Sequence, residues 1–273
     1  MIIIGEKING FIPKTLEAIK AKDAEYIKTI AKGQTDGGAT YLDICAGVAP
    51  EIEKETMTWL IDIVLDTVDT PICLDSSDPA MLVDMWNYVQ SKASGRQKDE
   101  GVINSVSMEE GKCEVIFPAI AAAKGWNIVA LTCNNDGIPD DPPTKALIAN
   151  QMVDAAASYG ITADRLFIDP LVTTLATKGD SMSNFTGGIK LIKEAHPTVH
   201  FTSGLSNISF GMPYRKVINT QFLCMAMAAG MDSAIMDPMS RDMLATLYAT
   251  DALLGNDEYC MEYLSAYRDG LFG

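Results

Sequence analysis

Eight short runs of apolar and β-branched residues recur along the chain, and longer segments with helical spacing separate them. The predicted strands cover residues 2–4, 40–44, 71–74, 101–103, 127–131, 166–168, 199–202 and 233–236. The predicted helices include residues 15–32, 54–68, 79–91, 115–124, 143–159 and 222–230. Alternation of strands with helices favours parallel strands joined by helical crossovers.

The length of the chain favours closure of these strands into a barrel. The chain has 273 residues, and eight strand–helix units within that length suit a single-domain (β/α)8 TIM barrel over residues 1–273. A doubly wound open sheet is the alternative architecture. An exposed loop is predicted after the fifth strand, at residues 134–143, because Asn, Gly and Pro are concentrated there.

Composition narrows the range of partners. Thirty-six acidic against 21 basic side chains give a formal charge of −15, which would repel nucleic acid over most of the surface. No apolar run approaches the roughly 18 residues of a membrane span, and the N-terminus lacks the pattern of a secretory signal. We therefore expect a soluble cytoplasmic protein. Six scattered cysteines and two histidines predict reduced thiols and no metal site.

Most predicted strands end in a carboxylate, an amide or a hydroxyl. The carboxyl ends of parallel barrel strands form one face, so these side chains are expected to converge on one pocket. Each residue taken singly could equally cap the next helix or form an Asx turn. The candidates are Glu6, Asn9, Asp43, Asp75, Ser76, Asn104, Ser105, Thr132, Asn134, Asp169, Ser206, Asn207 and Asp237.

The residue types of this predicted pocket indicate the kind of ligand. They are rich in Asp and Asn, and they include no histidine and no glycine-rich phosphate loop, which favours a polar ligand that is largely uncharged at its core. A pterin fits, because its N3–H and 2-amino group are two parallel donors that one carboxylate can accept together. A purine or another lactam heterocycle would fit almost as well.

Several of these residues lie in segments that carry a family resemblance. The chain resembles, from end to end, the methyltetrahydrofolate:corrinoid protein methyltransferases, members of the pterin-binding barrel group that includes dihydropteroate synthase and the folate domain of cobalamin-dependent methionine synthase. The segment 204–211, continuing to Pro213 and Arg215, is the most specific. The other segments are 4–10, 42–43, 73–76, 103–105, 131–132 with 137–139, and 168–171.

The resemblance implies roles for individual residues. Asp75, Asn104 and Asp169 would hydrogen-bond the pterin ring, while Asn207 would reach N5, the nitrogen that carries the methyl group. N5 must gain a proton or an equivalent hydrogen bond as the methyl leaves, and an asparagine amide cannot supply that proton near neutral pH. Asn207 would therefore stabilise the developing state by orientation. The alternative is that Asn207 is a turn residue.

The resemblance also implies substrates and partners. Methyltetrahydrofolate or tetrahydrofolate would be the folate substrate, and a corrinoid (cobalamin) would be carried by a separate protein, because the chain lacks an Asp-x-His-x-x-Gly cobalt-ligand motif. A homodimer is expected. Arg215 is predicted at the pocket mouth, where its guanidinium would meet the glutamate tail of folate or an acidic partner, unless it forms a surface salt bridge.

Two positions depart from relatives. Cys45 stands where many relatives have asparagine, and Phe210 stands where some have glutamine. Cys45 is predicted to be a buried thiol and not a nucleophile, because no histidine lies near it in sequence. The methionines are predicted to fill the core; they are Met225, Met227, Met231, Met236, Met239 and Met243.

Two rival functions follow from the same residues. Dihydropteroate synthase needs basic groups to bind a pyrophosphate. The last strand region of this chain lacks the corresponding Ser-x-Arg-His ending, because residues 235–238 are Ile-Met-Asp-Pro. A binding module for a pterin or a corrinoid protein, without catalysis, is the second rival. Methyl transfer between methyltetrahydrofolate and a corrinoid is the function that we expect.

Overall fold

Eight parallel strands run around a central axis in the computed structural model, which describes residues 1–272. In one sheet they follow the order β7-β6-β5-β4-β3-β2-β1-β8. The strands are β1 (Ile2–Asn9), β2 (Tyr41–Cys45), β3 (Ile72–Asp75), β4 (Gly101–Met108), β5 (Trp126–Asn134), β6 (Leu166–Asp169), β7 (His200–Phe201) and β8 (Ser233–Met236).

The two ends of this sheet meet, which closes the barrel almost completely. The Asp232 N–H donates to the Phe201 carbonyl at 3.3 Å, and the Ile235 N–H donates to the Ser203 carbonyl at 2.9 Å. Gly204 also forms a parallel bridge with Ile235. The predicted (β/α)8 barrel is therefore confirmed, and the open-sheet alternative is wrong.

Helices follow the strands and cover the outside of the barrel. Pro13, Pro50, Pro79 and Pro142 begin four of them, because proline has a helical φ and needs no N–H partner in the first turn. The helices are α1 (Pro13–Ala21), α2 (Ala24–Asp36), α3 (Pro50–Leu65), α4 (Pro79–Lys92), α5 (Arg96–Asp99), α6 (Lys112–Ile120), α7 (Pro142–Ser158), α8 (Ser181–Ala195), α9 (Arg215–Ala229), α10 (Arg241–Leu253) and α11 (Met261–Arg268).

Some predicted boundaries are wrong. The segment 15–32 is not one helix, because Lys22 adopts a left-handed conformation with φ 53° and the Asp23 carboxylate accepts the Tyr26 N–H to start α2. The apolar spacing continues across this break because both helices bury residues against the barrel. β1, β4 and β5 extend beyond their predicted ends. β7 has only two residues, because the chain leaves it for the 3₁₀ helix Leu205–Ser209.

The inside of the barrel is apolar over most of its length. A separate cluster of buried side chains fills it: Ile4, Tyr41, Cys73, Val102, Val129 and Phe167. Side chains alternate along a strand, so the residue two positions later points the same way. Two positions after these apolar residues stand Glu6, Asp43, Asp75, Asn104, Leu131 and Asp169. The inward rows of most strands thus change from apolar to polar at the carboxyl end.

The methionine and cysteine predictions are confirmed in part. Met227, Met231, Met236 and Met243 are buried, whereas Met225 and Met239 are 53% and 44% exposed, so that core assignment is wrong for these two. Met225 lies on the face of α9 that points away from its buried residues, and Met239 lies in the turn between β8 and α10. The cysteines are free thiols, of which Cys45, Cys73, Cys113 and Cys133 are buried, Cys224 is half-buried and Cys260 is exposed.

No helix within residues 1–272 combines the length and apolarity that crossing a bilayer requires.

Candidate functional site

A buried hydrogen bond joins two polar side chains at the carboxyl end of the barrel. The Asn104 Nδ2 donates to Asp43 Oδ1 at 3.2 Å, and both residues are buried. Burial and the neighbouring charge of Asp75 hold the pKa of Asp43 well above its usual value, although hydrogen bonds from the Cys73 thiol and from Asn104 oppose this rise. The first two strand-end residues thus converge, as the sequence predicts.

Asp75 lies between these two residues, at the end of β3. Its register partners are Cys45 on β2 and Asn104 on β4. Burial raises the pKa of Asp75 to about 6, and a hydrogen bond from the Cys45 thiol opposes the rise. Burial and the neighbouring carboxylates also raise the pKa of Cys45. A thiol that resists ionisation is a poor nucleophile, which fits the expectation that Cys45 is not catalytic.

Asp169 brings a further carboxylate to this end from β6. Its Oδ1 accepts the Leu171 N–H at 2.8 Å. Burial raises its pKa to about 7, while backbone N–H groups of Leu171 and Gly204 and the charge of Lys145 work in the opposite direction. Backbone donors therefore hold the carboxylate in place, and a nearby cation favours its charged form.

Lys145 lies beside this carboxylate, and the sequence pattern did not single it out. It stands in the first turn of α7 and is buried, and its Nζ donates to the carbonyls of Pro170 at 2.6 Å and Leu171 at 2.9 Å. The only available signal was its spacing of three and four residues before Ile148 and Ala149, which are buried on the same helix face. A lysine at such a position is unremarkable in a sequence.

Asn207 lies on the 3₁₀ helix Leu205–Ser209, between β7 and α9. Its side chain is half-buried. A Cβ atom at Gly204 would come within 3.0 Å of Asn207 Nδ2, so glycine at that position leaves room for the amide. The turn that the sequence singled out lies beside β8, because Gly204 is bridged to Ile235 of that strand.

Arg215 fastens this turn. Its Nε donates to Ser209 Oγ at 2.9 Å, and its Nη2 donates to the Ser206 carbonyl at 2.8 Å. The guanidinium carbon lies 4.5 Å from the centroid of the Phe210 ring, a cation–π contact. Phe210 and Arg215 thus form one unit with the Asn207 turn. An arginine in a surface salt bridge, or one with a free side chain, would not hold the turn in this way.

Glu6 faces the same turn from β1. The Ser206 side chain lies beside its carboxyl. Burial, followed by the charge of Asp237, raises the pKa of Glu6 to about 7, against the opposing charges of Lys7 and Arg215. Glu6 was among the predicted strand-end residues, but the sequence assigned it no role.

Three other strand-end residues are turn residues. Asn9, Asn134 and Asp237 each accept the N–H of the residue two positions later, at 2.8–2.9 Å. This is the Asx-turn alternative. Asn104 instead directs its amide to another strand, and Asp169 combines an Asx turn with a place in the cluster. The structure therefore separates residues that sequence position left equivalent.

The resulting arrangement suits a flat polar ligand with several N–H groups. Asp75 and Asp169 have pKa values of about 6 and 7. Hydrogen bonds donated by a ligand favour the charged form of a carboxyl, so both groups would be anionic with such a ligand bound. No group of three His, Cys, Asp or Glu side chains that could hold a metal ion occurs within residues 1–272.

Comparison with known sequences identifies the family. Residues 14–237 match the model of a family described as pterin binding enzyme. The chain belongs to the pterin-binding enzyme family. The resemblance drawn from the strand-end segments is thereby confirmed, and the matched span includes the whole Asp43–Asn104, Asp75, Asp169 and Asn207 neighbourhood.

Individual relatives of this pterin-binding enzyme cover it to different extents. It is 47% identical over 274 residues to a methylcorrinoid:tetrahydrofolate methyltransferase of Eubacterium limosum, with 100% of this chain and 98% of the relative aligned. It is 33% identical over 259 residues to methionine synthase of Mycobacterium tuberculosis, with 88% of this chain but 21% of that protein aligned. The first similarity is a full-length one.

Solved structures place the fold in the same group. The structure of 7,8-dihydropteroate synthase from Vibrio fischeri superposes with a TM-score of 0.64 at 15% identity, covering 93% of each chain. A dihydropteroate synthase structure from Yersinia pestis covers 85% of this pterin-binding enzyme and 90% of that chain, with a TM-score of 0.62 and 15% identity. At such identity the likeness concerns the fold alone.

Proposed function

We propose that this pterin-binding enzyme moves the N5-methyl group between methyltetrahydrofolate and the cobalt of a corrinoid that a separate protein carries. The observation that carries the proposal is the full-length, 47% identical relative whose name states methyl transfer between a methylcorrinoid and tetrahydrofolate. The polar barrel end supports it, because its carboxylates and amides match the donors and acceptors of a pterin.

The pterin ring lies, in this proposal, against Asp75, Asn104 and Asp169. Asn104 already donates its Nδ2 to Asp43, so its carbonyl oxygen is left to accept from a ring N–H. A carboxylate such as Asp75 accepts two parallel N–H groups at once. Backbone donors and Lys145 oppose the rise that burial causes in the pKa of Asp169, so its carboxylate form remains accessible as an acceptor for ring donors.

Asn207 is placed at N5 by the same proposal. The turn that carries it is tied down by Arg215, which lowers the entropy lost when the amide engages N5. The leaving nitrogen becomes more basic as the methyl departs, so a hydrogen bond there is stronger in the transition state than in the ground state. Asn207 therefore acts by orientation and stabilisation.

Arg215 contributes to folate binding in two ways under this proposal. It holds the Asn207 turn, and its guanidinium has five N–H donors, of which Ser206 and Ser209 take two. The remaining donors are assigned to the glutamate tail of folate.

We expect a homodimer, and a cytoplasmic location where a corrinoid protein is the partner.

One experiment tests the function directly. Purified protein is mixed with methyltetrahydrofolate and Co(I) cobalamin, and the cobalt spectrum is followed; conversion to methylcobalamin is expected. The reverse mixture, methylcobalamin with tetrahydrofolate, should release Co(I). Calorimetry with methyltetrahydrofolate runs in parallel, and Asp75→Ala serves as the variant that loses folate binding.

The outcomes separate the competing readings. Folate binding without methyl transfer in either direction would favour a non-catalytic binding module and contradict the proposal. No uptake of any reduced folate would contradict pterin binding altogether. Condensation of a pterin pyrophosphate with an arylamine would favour a dihydropteroate synthase.

A further inference from the structure

Glu6 occupies an irregular position in β1. Gly5 pairs with Leu42 and Ile8 pairs with Ile44, so Glu6 and Lys7 together oppose the single residue Asp43. The Lys7 N–H is diverted from the strand ladder to the Gln34 side chain, at 2.9 Å. Such a bulge re-aims a side chain and is frequent beside active sites. In β1 the bulge turns the Glu6 carboxyl towards the polar barrel end.

The charged groups around Glu6 come from β1 itself and from three other parts of the chain. Asp43 on β2 and Asp237 after β8 bring negative charge near it, whereas Lys7 and Arg215 bring positive charge. Both cations have other partners. Lys7 Nζ lies 3.2 Å from Asp237 Oδ2, and Arg215 donates to the Asn207 turn. The position therefore favours a carboxyl that changes its protonation state easily.

The contact of Glu6 with the Asn207 turn connects it to the reaction. Its carboxyl lies beside the side chain of Ser206, the residue that precedes Asn207. A serine hydroxyl both accepts and donates, so it can pass a proton between a carboxyl and a neighbouring polar group. Asn207 itself has no proton to give near neutral pH.

We propose that Glu6 is the proton reservoir for N5, acting through Ser206 and the polar network at the Asn207 turn. When methyl leaves N5 for Co(I), the N5–C bond breaks, a Co–C bond forms, and the proton from the Glu6 carboxyl ends on N5. In the reverse direction N5 of tetrahydrofolate attacks the methyl, Co(I) leaves with the bonding electrons, and the Glu6 carboxylate receives the N5 proton. This inference rests on the proposed methyl transfer.

The other carboxyls of the site are less suited to this task. Asp75 and Asp169 are proposed as acceptors of ring N–H groups, which requires the anionic form. Asp43 is buried and occupied by Asn104. Glu6 has no such assignment, and its pKa of about 7 lies where a proton can be both given and taken at neutral pH. Glu6 thus positions the proton through Ser206 and does not itself touch the substrate in this proposal.

The test compares the full-length parent with Glu6→Gln, Glu6→Asp and the matched control Glu51→Gln, whose exposed carboxyl lies in the first turn of α3. We expect Glu6→Gln to slow methyl transfer about 10²-fold, the lower end for a removed acid–base group, while folate affinity stays within about threefold of the parent. Glu6→Asp should recover part of the rate, and Glu51→Gln should match the parent.

The pH profile gives the signature that a structural role would not produce. In the parent, transfer from methyltetrahydrofolate should fall as pH rises through about 7, and transfer to tetrahydrofolate should fall as pH drops through about 7. Both limbs should vanish in Glu6→Gln. In carbon-13 spectra of glutamate-labelled protein, one carboxyl resonance titrating near pH 7 should likewise be lost in that variant.

The results separate this inference from the function on which it rests. Parental rates with both pH limbs intact in Glu6→Gln would overturn the role of Glu6 alone, provided that the parent transfers methyl groups. Loss of folate binding in Glu6→Gln would also overturn it, by assigning Glu6 to the binding site. No transfer by the parent in either direction would overturn both proposals.

Discussion

Asn104 donates its side-chain amide to Asp43 across 3.2 Å, and this bond joins β4 to β2 over the intervening strand β3. It determines which end of the Asn104 amide is left for a ligand. In the proposed pterin site, Asp43 would therefore act through Asn104, since Asp43 itself is only 1% exposed. Asp75, in register with Asn104, completes the row.

A double-mutant cycle tests that relationship. Asn104→Ala should weaken folate binding about tenfold or more, because a buried hydrogen-bonding group of the ligand loses its partner. Asp43→Ala should weaken it by a smaller factor, through a misdirected Asn104. The double variant should bind no more weakly than Asn104→Ala alone, a coupling of about 0.5–3 kcal/mol. Additive losses in calorimetry would contradict the indirect role of Asp43.

Asp169→Asn should change the free energy of unfolding and the folate affinity in opposite directions. The pKa of Asp169 is raised to about 7 in the folded protein, so the folded state holds a proton that the unfolded state releases above its lower, ordinary pKa. The parent therefore loses stability as pH rises from about 4 to 7, by at most about 1.4 kcal/mol per pH unit. The neutral amide escapes this loss.

The measurement is urea unfolding of both proteins from pH 4 to 8. The advantage of Asp169→Asn should grow up to about pH 7 and then level off, while its folate affinity falls. An advantage that is constant with pH would contradict the raised pKa.

Lys145→Met should loosen the loop after β6. The change leaves the carbonyls of Pro170 and Leu171 without their buried donor, which costs about 1–3 kcal/mol for each unsatisfied group. It also removes the charge that lowers the pKa of Asp169, so folate binding should weaken most at low pH. Lys190→Met on the exposed face of α8 is the matched control. Equal unfolding midpoints for the two variants would contradict the role of Lys145.

Asn207→Ala should reduce turnover more than binding. If the amide engages N5 mainly in the transition state, the rate of methyl transfer should fall by about 10²–10³ while folate affinity changes little. Asn256→Ala, at an exposed asparagine far along the chain, is the control. Single-turnover cobalt spectra measure the rate, and a parental rate in Asn207→Ala would make it a turn residue only.

Patterns with a short period predicted the architecture well. Alternating apolar runs and helical spacing depend on neighbours a few residues apart, so eight strands, the barrel and the polar strand ends could be inferred without coordinates. The helix break at Lys22 could not, because apolar residues continue on both sides of it and only a left-handed residue followed by the Asp23 cap separates them.

The sequence by itself determined the barrel, the row of polar residues at one end and the membership of a pterin-binding family, because these depend on residue order along each strand. Tertiary structure decided which polar residues face one another. Asn104 and Asp43 are 61 residues apart, Lys145 and Pro170 are 25 apart, and the bulge at Glu6 exists only in the pairing of β1 with β2. Closure of the barrel brings such residues together, and the order of residues along the chain does not indicate which distant residues will be neighbours in space.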